Sequence, residues 1–93
     1  ILKIVFWHNN GTVETCKYAD EGEYGLTPWT QNHHLVEETV KKLIANEDIC
    51  EIRVVNGFDI LVFHWDRDNG AMIKSELLDV VTNTRWNHTQ GAV

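Results

Sequence analysis

The chain has 93 residues, enough for one domain with its own core and too few for two. Hydrophobic residues make up 43%, with four tryptophans among them, which excludes a mainly disordered chain. Fourteen acidic residues against eight basic give a net charge of −6, which argues against direct nucleic-acid binding and suits a basic protein partner or plain solubility.

Residues 1–8, ILKIVFWH, read as a strand and residues 12–18 as its return across Asn9-Asn10-Gly11, so a first hairpin is expected over 1–18. Leu2, Ile4 and Phe6 line one side of the first strand and Ile1, Val5 and Trp7 the other, which places it mid-sheet. The return strand mixes Glu14 and Lys17 with Val13, Cys16 and Tyr18, as an edge strand does. Residues 19–26 form a loop carrying Asp20, Glu21 and Glu23. Thr27-Pro28 then opens a helix over 27–46, threonine capping and proline at the first helical position. Val36, Val40, Leu43 and Ile44 share its apolar face, while Glu37 with Lys41 and Glu38 with Lys42 pair on the wet one.

A second hairpin is expected over 50–65, centred on Asn56-Gly57 as a two-residue type I′ turn with positive φ at both residues. Its first strand alternates, Glu51 and Arg53 facing away from Ile52 and Val54, and reads as an edge. The second, 58–65, is apolar on both sides: Phe58, Ile60 and Val62 against Leu61, Phe63 and Trp65. The simplest order of the four strands is 2-1-4-3. A turn over 66–70 leads to a second helix over 71–84, burying Ile73, Leu77, Val80 and Val81, and a tail follows over 85–93. The fold class is α+β: one ββαββα domain over 1–93, a two-layer sandwich of a four-stranded antiparallel sheet with two helices on one face.

The residues that carry chemistry form no recognisable constellation. Five histidines are present, but His33 and His34 are adjacent at a helix start and diverge by about 100°. His8 and His64 end different strands, and no Cys or His pair has zinc-ligand spacing. The run from Asp66 to Gly70 resembles the opening of a calcium loop but puts Ala71 and Leu77 where the motif needs glycine and glutamate. The single serine, Ser75, falls inside the second predicted helix, and no phosphate-cradling glycine loop is present. No catalytic residue, metal or cofactor is therefore expected. Cys16 and Cys50 read as buried, reduced strand residues; with no apolar run of membrane-span length, the cytoplasm is the expected location.

The aromatic residues carry the functional expectation. Two helices cover one face of a four-stranded sheet, which leaves the face assigned to Trp7, Leu61, Phe63 and Trp65 bare and apolar. The chain is thus expected to be a small acidic binding or inhibitor protein, associating with itself as a homodimer or with another protein. A phage-type blocker of a host defence factor is one protein of that kind. Two alternatives stand beside it. In one, Asp20, Glu21, Glu23, Glu47, Asp48, Glu51, Asp66 and Asp68 imitate DNA phosphates and block a DNA-binding enzyme. In the other, His8, His64, Arg85 and Trp86 converge on a small, nucleotide-like ligand.

Overall fold

The computed structural model describes residues 1–19 and 25–73, as nine elements. Strand β1 (Leu2–His8) is followed by the short strands β2 (Val13–Thr15), β3 (Tyr18–Ala19), β4 (Leu26–Thr27) and β5 (Trp29–Thr30). Helix α1 (His33–Ala45) comes next, then β6 (Ile49–Asn56), β7 (Leu61–Asp66) and β8 (Gly70–Ile73). The fold is α+β. Its main sheet has six strands, antiparallel in every pairing, in the order β2-β1-β6-β7-β8, with β5 also paired to β1. Strands β3 and β4 form a separate two-stranded ribbon.

The expected strand order is corrected here: the partner of β1 is β6, not β7. Polar alternation in residues 50–55 suggested an edge, but a central strand alternates in the same way when one face of the sheet is open. Ile52 and Val54 are fully buried on the helix side, and Glu51 and Arg53 lie on the other. The second helix is also corrected at its start, because Gly70–Ile73 is a strand paired with β7; residues 74–84 of that prediction lie outside the described residues. Asp66 Oδ1 accepts from Asp68 N and Asn69 N, and Gly70 has φ 79°, so a turn with a left-handed closing residue returns the chain as a hairpin.

Helix α1 begins later than Thr27-Pro28. Trp29 and Thr30 pair with Lys3 and Leu2, and Pro28, which has no N–H to satisfy, stands between two short strands. The cap is Asn32, whose side chain accepts from Leu35 N at 3.0 Å. Val36 and Val40 are buried as expected, with Leu43 and Ile44 packed beside them. Lys41 meets Glu37 at 3.1 Å, whereas Glu38 lies near His34 and Lys41 rather than Lys42.

The core lies between α1 and one sheet face, where Leu2, Ile4, Ile52, Val54 and Phe63 meet Val36 and Val40. A register shift between Val54 and Val55 makes Val62 an extra residue in β7, and the bulge lets the consecutive Val62 and Phe63 both be fully buried. Where β7 turns toward β8, Arg67 ties the sheet to the helix end. Its Nη2 donates to Ile44 O, Asn46 O and Ile49 O at 3.1, 2.9 and 2.7 Å, and its guanidinium lies 4.7 Å from the Trp65 ring. Carbonyls left over at a helix C-terminus take such a cation readily. Among the described residues no helix is long and apolar enough to cross a membrane.

Candidate functional site

The hairpin joining β6 and β7 is longer than the expected two-residue turn. Positive φ falls on Asp59, at 65°, and not on Asn56 or Gly57, so the type I′ assignment is corrected. Asn56 organises the loop instead. Its Oδ1 accepts from Phe58 N at 2.9 Å and from Ile60 N at 3.1 Å. Its backbone N–H donates to Ile60 O and its carbonyl accepts from Asp59 N, both at 3.0 Å. Four hydrogen bonds to one residue brace this tip, a use of asparagine as a turn-maker. The tip presents Phe58, 85% exposed, and Ile60, 50% exposed. Beside it, Ile1, Leu2, His33, Asn56, Gly57 and Phe58 line a groove of about 390 Å³ between the tip and the start of α1.

The four residues expected to share a bare face are separated. Phe63 and Trp65, 0% and 7% exposed, belong to the core on the helix side. Leu61 is half-buried at the bulge. Trp7 lies on the opposite face, its ring beneath the Arg53 guanidinium at 5.0 Å. Alternation tells which residues of one strand share a side; pairing through β6 decides which side meets the helix, and it turns Phe63 and Trp65 inward.

The open face is therefore charged as well as aromatic. Glu51 Oε2 accepts from Arg53 Nε at 2.8 Å and lies 2.9 Å from His64 Nε2, while Lys3 Nζ sits 4.8 Å over the Trp29 ring. Each of these two tryptophans has a cation over its ring, which shields part of its apolar surface.

His8 and His64 do not converge. His8 pairs with Glu14 and stands 5.5 Å from the Phe6 ring, and His64 pairs with Glu51 on the other side of the sheet. Arg85 and Trp86, the other two residues of the small-ligand alternative, lie outside the described residues, as do Asp20, Glu21 and Glu23. Glu47, Asp48, Asp66 and Asp68 gather at the end of the sheet where β6 begins and β7 ends, opposite the Phe58 tip. Among the described residues, no three His, Cys, Asp or Glu side chains group to hold a metal ion. Cys16 and Cys50 are free and half-buried. Burial pushes the Cys16 thiol up, Glu14 adding to it, and keeps it from being a ready nucleophile. Burial, then Cys16, pushes the Tyr18 phenol up to about 12.

The exposed tip is what reading the sequence missed. Phe58 and Ile60 are of aromatic and β-branched types that favour a strand, and the signal that separates them from one is Asn56 with Asp59, two residues that accept local backbone bonds or a left-handed backbone. In comparisons with known proteins, the chain matches no family model, no curated protein and no solved structure.

Proposed function

We propose that this is a non-enzymatic binding protein that associates with a protein partner through the β6–β7 tip, with Phe58 as the anchor. The observation that carries the reading is a phenylalanine 85% exposed on a loop fixed by four hydrogen bonds. Folding gains little from an aromatic ring left in water, whereas binding gains twice. The ring offers a large apolar contact of the kind that dominates interface energies, and the fixed loop loses little freedom when it docks. A rigid apolar knob of this kind suits docking into a recess on the surface of a partner.

A photo-crosslinking residue at position 58, against the same residue at the exposed position 17 as control, tests the proposal in cells that express the protein. Adducts are expected at 58 alone, competed away by excess wild type and not by Phe58→Ser. Equal adduct yields at both positions would refute it.

A further inference from the structure

We infer that the partner at the Phe58 tip is a second copy of this chain, in a two-fold dimer formed tip to tip. The inference rests on the tip being a contact surface, as proposed above, and adds which molecule it contacts. Its first support is shape. In an isologous dimer one patch must carry both the projecting group and the recess that receives it. Here Phe58 projects into solvent and also forms one wall of the 390 Å³ groove, with Leu2 and His33 on its other sides. A two-fold axis through the patch sets each phenyl ring into the groove of the opposite copy, and Ile60, half-exposed beside it, extends the contact.

The second support is the distribution of charge. A protein of net charge −6 repels its own copies, so self-association is favoured where charge is lowest. Residues 56–60 carry one charged side chain, Asp59. The carboxylates of Glu47, Asp48, Asp66 and Asp68 lie at the other end of β6 and β7. Eight residues of β6 separate the two ends by roughly 23 Å, against a screening length of about 8 Å at physiological salt. Tip-to-tip assembly points the acidic ends of the two copies away from each other. Side-by-side or face-to-face assembly would bring them closer. The same geometry predicts that affinity is nearly independent of salt.

Sedimentation velocity on the whole chain up to about 1 mM, with circular dichroism as the folding control, reads the result. A dimer is expected whose dissociation constant rises at least tenfold with Phe58→Ser, is largely recovered with Phe58→Trp, and changes less than about twofold between low and high salt. Photo-crosslinking from position 58 in the same sample is expected to give an adduct of two chains. A wild type that stays monomeric overturns the dimer. If position 58 then crosslinks to a different protein in cells, the tip remains a contact surface; if it crosslinks to nothing, both readings fall. A dimer that survives Phe58→Ser unchanged, or one that tightens strongly with salt, places self-association elsewhere and overturns the inference.

Discussion

Arg67→Ala removes a side chain that ties the β7–β8 turn to both the end of α1 and the aromatic core. Two of the carbonyls it serves, Ile44 O and Asn46 O, stand at the helix C-terminus, and the third, Ile49 O, opens β6 and receives both Nη2 and Nε. A hydrogen bond to a charged group contributes about 1.5–3 kcal/mol when sheltered. The helix dipole adds about 0.3–1 kcal/mol and the stacking on Trp65 about 0.5–1 kcal/mol at an exposed site. The residue as a whole is exposed, so water replaces much of what is lost, and the contributions overlap. A net cost of about 2 kcal/mol is expected, which for a domain of this size lowers Tm by about 8–16 °C. Arg67→Lys keeps the charge but not the fork, and should recover less than half. Urea unfolding followed by tryptophan fluorescence measures both. A loss below about 0.5 kcal/mol for alanine, or full recovery with lysine, would show that the guanidinium geometry is not what holds the corner.

Two further outcomes follow from the turns. Asp59→Val should cost about 1–2 kcal/mol, since a β-branched residue resists φ 65°, while Gly57→Ala should cost less than about 1 kcal/mol. The new Cβ at position 57 would come within 2.7 Å only of Ile1 Cγ2, the end of a side chain that can move. Chemical denaturation giving the opposite ranking would restore the two-residue turn. The Asn69 side chain and backbone N–H, then Asp68 N–H, hold the Asp66 carboxyl below the ordinary aspartate range. Because the folded value lies below the unfolded one, the contribution is present above the unfolded value and lost as pH falls through the folded one. NMR titration should show the low midpoint, and Asn69→Ala should raise it; an unmoved midpoint would remove Asn69 from the account.

The strands and the helix were legible where side-chain period reports burial directly. Val36 and Val40 fall one turn apart on the face that meets the sheet, and Ile52 and Val54 alternate with Glu51 and Arg53 as a strand between a core and an open face must. Strand order was not legible, because alternation cannot tell an edge from a central strand with one wet side. The bulge at Val62 was hidden as well, since it leaves a continuous apolar run unchanged and alters only which side each residue takes. Asp66 to Gly70 held a hairpin signal, glycine after an Asx turn, that reads equally well as the cap of a helix. The tip was obscured for a related reason. Phe58 and Ile60 have strand propensity, and it is Asn56, through its side-chain oxygen and its backbone N–H and carbonyl, with Asp59 in a left-handed backbone, that takes them out of the ladder.

The outer side of β1 has a consequence for the life of the protein in a crowded solution. That side is closed in pieces: Leu2 and Lys3 by β5, Ile4 O by Cys16 N at 3.0 Å, and Val5 to Trp7 by β2. Had one long strand lain there, it would have offered a full row of free amides on which a stranger's chain could template. The outermost segments are instead two and three residues long and belong to different parts of the chain, with Glu14 in the middle of one. A growing fibril needs a run of about six residues in register, and this margin offers no such run. The hydrophobic first strand, LKIVFWH, is the kind of apolar run that aggregates once exposed, and the stepped border of β2 and β5 keeps it sequestered while the fold is intact.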